Sequence, residues 1–363
     1  MGDKKTNRTV SRRNIMAGLV GTPVLFGGAI GAYEVSARKD SVESVENQAV
    51  DRDGESTEVT LGFDTQDRFD EETFTYLAAS SDVLNVVGRT TGEQVRVRRG
   101  DDEYAVYTID REDSDDERSV FANELARARL DLENVDWEDI GDCRITCPRP
   151  SVDVPINDED EVEVEVNPTV VDPDLSVDEA EDQGEYVEVV DSSDANAIVL
   201  SPHGGDVQPH TGEQAETVVD ELDGDVAHWG TRGYSTNGSA FIRWYVPSYN
   251  MSEASYPGLA AVSENEYEYA ISFHGTCDPV IQIGGQAPES FRAEVRDAIN
   301  EVLADTDYEA VLGSGDYRVD GDQTLPNRLA SRCGIWIGQD DDSRAQYGTE
   351  IAQAVAGVLE TRI

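Results

Sequence analysis

The sequence predicts an α/β protein: a mostly parallel sheet with helices on both faces, preceded by a small β-rich domain. Three observations predict it. From about Glu185 to Ile363, short apolar runs alternate with amphipathic stretches of helical period, as strands joined by covering helices do. From about Val59 to Val166 the pattern is instead period-two strands with a single helical stretch. Finally, two buried-strand runs end in a His–Gly step, Ile198-Val-Leu-Ser-Pro-His203-Gly204 and Ala270-Ile-Ser-Phe-His274-Gly275. Ligands of open α/β sheets bind beyond the carboxyl ends of the strands, so two imidazoles delivered there converge on one metal or substrate. The chain holds only four histidines, His203, His210, His228 and His274, which makes the coincidence more informative.

Taken in order, the chain opens on an export signal. Ser11-Arg12-Arg13-Asn14-Ile15-Met16 precedes a mildly apolar, Gly-rich run from Ala17 to Ala32, and residues 1–37 read as a twin-arginine signal peptide with Val35-Ser36-Ala37 offering small residues for cleavage. No Cys follows the apolar run, which argues against a lipid anchor. If the signal is uncleaved, Ile15 to Val35 is long enough to cross a bilayer as a helix and tether the protein. Secreted or tethered, the fold is expected outside the cell, and a membrane partner only in the tethered form. Residues 38–58 form a flexible acidic spacer.

Residues 59–168 are the small β-rich domain. Strands are expected at Gln94–Arg98, Tyr104–Ile109 and Glu161–Val166, and a helix over Val120–Leu130 with Phe121, Leu125 and Leu130 apolar. Arg96, Arg98 and Arg99 form a cationic cluster suited to an anionic polymer, although pairing with the abundant carboxylates explains it more simply. Residues 169–185 read as an acidic linker. In residues 186–363 strands are expected at Tyr186–Val190, Ala197–Leu200, Ala270–Phe273, Val280–Ile283, Ala310–Leu312 and Gly334–Ile337. Helices fit Gly212–Leu222, Glu289–Ala304 and Ala345–Leu359, the first opened by a capping box of Thr211 and Gln214. There is no Gly-x-Gly-x-x-Gly, no phosphate-cradling loop and no Gly-x-Ser-x-Gly elbow, which disfavours a nucleotide enzyme or a serine hydrolase.

Composition bounds the setting. The net charge is −48, from 28 basic and 76 acidic residues, and Lys4, Lys5 and Lys39 are the only lysines. Self-repulsion on this scale opposes compaction in dilute buffer and is screened by salt, the Debye length falling to about 3 Å at 1 M. The protein is therefore read as adapted to high salt. With 38% hydrophobic residues in patterned runs, it is folded rather than an acidic disordered chain. Nucleic acid and anionic membrane surfaces are disfavoured as partners of so negative a face. Four cysteines allow three disulfide connectivities, and the domain boundary favours Cys143 with Cys147 and Cys277 with Cys333. A four-Cys zinc site is disfavoured because no Cys-x-x-Cys pair exists.

Several motifs in sequence order then resemble one family. They are Ser201-Pro-His203-Gly-Gly205, Pro209-x-Thr211-x-Glu213 opening a helix, Ser272-Phe-His274-Gly275, Ile283-Gly-Gly285, Asn327-Arg328-Leu329 and a late Arg344. Together they resemble the phage-type poly-γ-glutamate hydrolases, over roughly Asn196 to Ile363. The resemblance implies a carboxypeptidase-like α/β fold and one zinc ion on His203 and His274. It places the family's third ligand, a Glu, on Gln208, whose neutral amide is the poorer donor. Asp206 and Glu213 are the nearby replacements, although Glu213 equally suits the positive end of a helix. Asn327, Arg328 and Arg344 are implied to hold substrate, the arginine fork matching a carboxylate; a local hydrogen-bonded turn is the plainer account of the Asn–Arg pair. The family's general-base Glu falls on Gly338. Its loss costs typically about 10²- to 10⁴-fold in rate. Asp340 to Asp342 are near enough in sequence to replace it, and ordinary acidic surface explains them as well.

Two functions follow from these residues. One is a secreted or surface-tethered zinc hydrolase cleaving γ-glutamyl or similar amide bonds in an anionic, peptide-like polymer. The other is a catalytically degenerate relative that binds such a polymer, or a cell-surface polymer, without turnover; Gln208 and Gly338 point to it.

Overall fold

The computed structural model describes residues 54–63, 74–100, 103–113, 118–131, 162–193, 195–236 and 239–363. The twin-arginine segment, most of the acidic spacer, Cys143 and Cys147 lie outside the described residues.

The first domain comprises β1 (Thr57–Phe63), β2 (Tyr76–Ser80), α1 (Ser81–Val87), β3 (Gln94–Arg99), β4 (Glu103–Asp113), β5 (Ser119–Ala122), α2 (Glu124–Ala128) and β6 (Val162–Asn167). Its strands close into a barrel in the order β1-β5-β2-β4-β3-β6. Alternation does the sorting: Val95 and Val97, Val164 and Val166 are buried inside, while Arg96 and Arg98 between them face out. The helix expected over Val120–Leu130 is instead a strand followed by a short helix. Ser119–Ala122 pairs in parallel with β1, and the Asn123 side chain, accepting from the Ala126 N–H at 2.8 Å, starts the helix only there.

The second domain comprises α3 (Val177–Gln183), β7 (Tyr186–Asp191), β8 (Ala197–Gly205), α4 (Thr211–Glu221), β9 (Ala227–Gly233), α5 (Ala240–Trp244), α6 (Pro257–Ser263), β10 (Tyr267–Gly275), β11 (Ile281–Gly284), α7 (Glu289–Val302), β12 (Ala310–Leu312), α8 (Leu325–Leu329), β13 (Ala330–Gln339) and α9 (Asp341–Glu360). The seven strands run in the order β12-β11-β13-β10-β8-β9-β7. The sheet is mixed, which corrects the expected mostly parallel one: β11 is antiparallel to β13 and β7 to β9. The reason is connection length. A parallel crossover needs about a dozen residues; 276–280 and 192–196 are too short, so the chain must reverse direction. The presumed linker 169–185 contains α3, opened by a full capping box of Ser176 and Glu179. The capping box expected of Thr211 and Gln214 does not form. His210, at φ 72°, holds the N-cap, Thr211 Oγ1 donates to the Gln208 carbonyl, and Gln214 reaches across to Gln339.

Adjacent strand residues face opposite sides, and each side has its own cover. Val199, Ile271, Phe273, Ile335 and Ile337 pack with α4, α7 and α9 through Val218, Val295 and Val355. Ile198, Leu200 and Ala270 pack with the 240–262 segment and α8 through Phe241, Trp244, Leu259 and Leu325. The barrel sits on this second cover, contributing Val106 to the same apolar cluster, with Phe74 and Tyr104 against it. Arg96 makes a bidentate pair with Glu185 and lies over the Tyr104 and Trp244 rings. Arg98 donates to the Gly100 carbonyl and Arg99 pairs with Asp131, so the arginine cluster is engaged within the molecule. No helix among the described residues is long and apolar enough to cross a membrane.

The Cys277–Cys333 bridge does not form. In the parallel β10–β13 pair Cys333 is opposite Tyr269, whereas Cys277 follows the far end of β10, eight residues along at about 3.3 Å each. A disulfide spans at most about 6.8 Å between Cα atoms. Peptide mapping of unreduced protein is accordingly expected to recover no Cys277–Cys333 cross-linked peptide; finding that cross-link would contradict this register.

Candidate active site

Three neighbouring parallel strands assemble the site. Leu200 on β8 is in register with Ser272 on β10, and His274 on β10 is opposite Gly338 on β13. The register carries His203 and His274 to the same end of the sheet, ring centroids 5.6 Å apart, with exposures of 2% and 4%. Gln208 closes the group from the loop after β8. Its N–H donates to the His203 carbonyl at 2.7 Å, and its Oε1 accepts from the Gly275 N–H at 2.8 Å. The three side chains that sequence placed on one metal are therefore brought together.

Their protonation follows from their partners. His203 Nε2 is 2.8 Å from the Val246 carbonyl, which can only accept, so Nε2 carries the proton. The other nitrogen, Nδ1, is 3.2 Å from Gln208 Oε1, an oxygen whose orientation the Gly275 N–H fixes. A neutral ring thus turns its lone pair on a second acceptor. An imidazolium would satisfy both neighbours, but burial pushes its pKa down to about 4 despite those two hydrogen bonds. Two converging acceptors in a dry site suit a cation placed between them. His274 is neutral for the same reason: burial, and secondarily His203, hold its pKa well below the usual range, while Nε2 bonds Ser272 Oγ at 2.6 Å. The donor set is two neutral imidazoles and an amide oxygen. Asp206 and Glu213 are exposed and do not complete it; among the described residues no three His, Cys, Asp or Glu side chains are grouped for a metal.

At the general-base position the obstacle is a neighbouring ring. Gly338 has no positive φ, yet a Cβ there would lie 2.1 Å from the Trp336 ring and 2.6 Å from the Thr276 methyl. Trp336 is two residues earlier on the same face of β13, and it stacks on His274 at 5.4 Å. Asp340, the proposed substitute base, is the N-cap of α9, accepting from the Ser343 N–H at 2.9 Å. The residues expected to bind substrate are engaged in internal bonds as well. Asn327 accepts from Gln286 N–H and donates to Val319, Gly321 and Thr324, which is the local turn. Arg328 donates to the Met251 carbonyl and pairs with Glu253 at 3.3 Å. Buried Arg344 donates to the carbonyls of Pro209 and Gln339, tying the Gln208 loop to the end of β13. Sequence reasoning missed Trp336, Tyr245, whose ring is 4.8 Å from that of His203, and the Val246 carbonyl. Trp336 was findable from period two; a main-chain carbonyl has no sequence signal.

A sheet that delivers two buried imidazoles and an amide to the ends of its central strands defines an α/β domain with a two-histidine site. Residues 174–347, within the C-terminal domain, match the family model described as poly-gamma-glutamate hydrolase. The barrel stands outside the match. Among solved structures the chain is similar to a bacteriophage poly-gamma-glutamate hydrolase, at 19% identity and TM-score 0.40, covering 51% of this chain and 95% of that one. It is also similar to YndL in a zinc-free state, at 16% identity and TM-score 0.39 over 51% and 96%. A metallo-carboxypeptidase from Burkholderia cenocepacia follows at 9% identity and TM-score 0.34, over 56% and 73%. No curated protein matches the chain.

Three of the four histidines are buried with lowered pKa values, about 4 for His203, about 3 for His228 and well below the usual range for His274. Each folded-state pKa lies below the unfolded value of about 6.5. The stability they contribute is thus complete above about pH 6.5 and is lost as pH falls toward 4, by up to about 1.4 kcal/mol per pH unit per histidine. Urea midpoints measured in molar KCl are expected to fall from pH 7 to pH 5. A flat or rising midpoint over that range would show that these rings titrate normally.

Proposed function

We propose that the protein is an exported, salt-adapted metallohydrolase whose C-terminal domain holds one zinc ion between His203, Gln208 and His274 and acts on γ-glutamyl or similar amide bonds of an anionic extracellular polymer. The observation that carries this reading is the buried pair of acceptors, His203 Nδ1 and Gln208 Oε1, 3.2 Å apart beside a second neutral imidazole. The family match supports the substrate class. A zinc ion held there would supply Lewis acidity toward an amide carbonyl. The chain's own groups set the stage: Val246 and Ser272 orient the two rings, Gly275 fixes the Gln208 oxygen, and Tyr245 and Trp336 exclude water. Export is supported by Arg12 and Arg13, and salt adaptation by the net charge of −48.

A second reading, binding of the polymer without turnover, is favoured by the Trp336 ring over Gly338, which leaves no room for a base beside His274. The two readings separate in one series of measurements. Protein purified in molar KCl is expected to carry close to one zinc per chain, and Gln208→Glu, by adding a carboxylate ligand, to slow its loss to a chelator at least tenfold. Absence of zinc in both proteins would end the metal reading.

Amine release from poly-γ-glutamate then tests for the base. Gly338→Glu alone is expected to fail because its Cβ meets the indole. With Trp336→Ala it is expected to raise the rate by about 10²-fold or more, the low end of general-base contributions. A wild-type protein already turning over quickly would show that another group serves as base and would dismiss the binding-only reading.

A further inference from the structure

The barrel lies outside the family match, yet its most buried cation bonds the turn that leads into the histidine site. Arg129, just after α2, is wholly buried, and among the described residues no carboxylate pairs with it. Main-chain carbonyls take its five donors instead. Nε donates to Ile242 at 2.6 Å, Nη1 to Val106 at 2.6 Å and Phe74 at 3.3 Å, and Nη2 to Arg243 at 3.0 Å and Tyr245 at 3.3 Å. Three of those carbonyls belong to the last turn of α5 and its C-cap, where helical partners run out. The next residue is Val246, whose carbonyl receives the His203 Nε2 proton. Tyr245 lies against His203 at 4.8 Å on one side and against the barrel's Phe74 at 6.2 Å on the other. Beyond Val246 the barrel grips again: Gln94 donates to the Asn250 carbonyl at 2.7 Å and accepts from the Ser252 N–H at 3.0 Å.

We propose that Arg129 of the barrel is a positioning residue for the histidine site: by holding the carbonyls of Ile242, Arg243 and Tyr245 it sets the Val246 carbonyl against His203 Nε2 and keeps Nδ1 as the ring's electron-pair donor toward Gln208. The barrel is then a working part of the site rather than an appended module. A planar guanidinium is required, because its fixed fork spans acceptors on both domains at once and a lysine ammonium, a point donor, cannot. The proposal rests on the reading of His203 as a donor, but its test needs no metal.

The test uses the full chain, labelled with ¹⁵N-histidine and stripped of metal, in molar KCl. Four histidines give four ring systems, and His203→Gln assigns the one that matters. In the wild type His203 is expected to show a single Nε2–H tautomer. Arg129→Lys is expected to abolish that fixed pattern, the two nitrogens moving toward the averaged values of exposed His210. Tyr107→Phe is the control. It removes the 2.6 Å bond to the Ala126 carbonyl within the barrel and leaves the clamped carbonyls alone, so His203 should keep its wild-type pattern. If Arg129→Lys does not fold, Phe74→Leu decides, since it loosens Tyr245 without burying a new charge and is expected to shift His203 in the same direction. A folded Arg129→Lys, or failing that Phe74→Leu, with His203 unchanged overturns the proposal, as does a His203 shift in Tyr107→Phe equal to that in Arg129→Lys. Zinc content of the untreated protein is read separately: a fixed tautomer without zinc removes the metal reading alone, and bound zinc with an unclamped tautomer removes this one.

Discussion

His203 is buried between two hydrogen-bond acceptors and must stay uncharged, and much of the surrounding structure answers to that constraint. The Val246 carbonyl takes the one proton the neutral ring has. Nδ1 is left facing Gln208, and Gln208 cannot turn its amide to help, because the Gly275 N–H already holds its oxygen. Leaving polar groups so arranged in a dry site costs about 1–3 kcal/mol each. Structures that keep such a cost usually do so at functional sites. The neighbours enforce it from every direction: β10 supplies Gly275, the loop after β8 supplies Gln208, and the 240–250 segment, pressed down by the barrel, supplies Val246 and Tyr245.

The distribution of charge serves the same end. Carboxylates outnumber cations by 76 to 28 and cover the surface, while several of the scarce arginines are spent inside as joints. Arg344 ties the Gln208 loop to β13, Arg96 and Arg129 tie the barrel to the second domain, and Arg232 ties β9 to α4 through Glu216. Arg232 is packed so closely that a Cβ at Gly212 or Gly204 would meet its guanidinium at 2.4 or 2.5 Å. Arginine suits this work because it is weakly hydrated and presents fixed donors to several carbonyls. Internal joints of this kind are screened far less by salt than exposed pairs are.

Relative to the catalytic pattern that the resemblance implies, this domain keeps the imidazoles and rearranges what surrounds them. The exchange of Glu for Gln removes a charge from the donor set, and Trp336 fills the space above Gly338. A neutral amide beside the two imidazoles and a neutral, aromatic wall make a site of low polarity, in which a carboxylate would be costly to keep ionised.

Much of this was legible in the sequence. Apolar runs and their periods gave away the strands and long helices, and the two His–Gly steps, with Gln208 five residues after the first, marked the site before any geometry was known. Such features are local: they depend on which face of a strand a residue occupies and on what ends the strand. The mixed sheet was legible only in hindsight from short connections. What the tertiary structure alone decided is everything that rests on non-local approach: that Cys277 and Cys333 lie at opposite ends of a parallel pair, that Asn327 and Arg344 are consumed by internal bonds, that the Val246 carbonyl meets His203 Nε2, and that Arg129, over one hundred residues earlier in the chain, bonds the carbonyls of the turn just before Val246. Main-chain acceptors are identical at every residue, so no pattern of side chains announces which of them a buried ring or guanidinium will find.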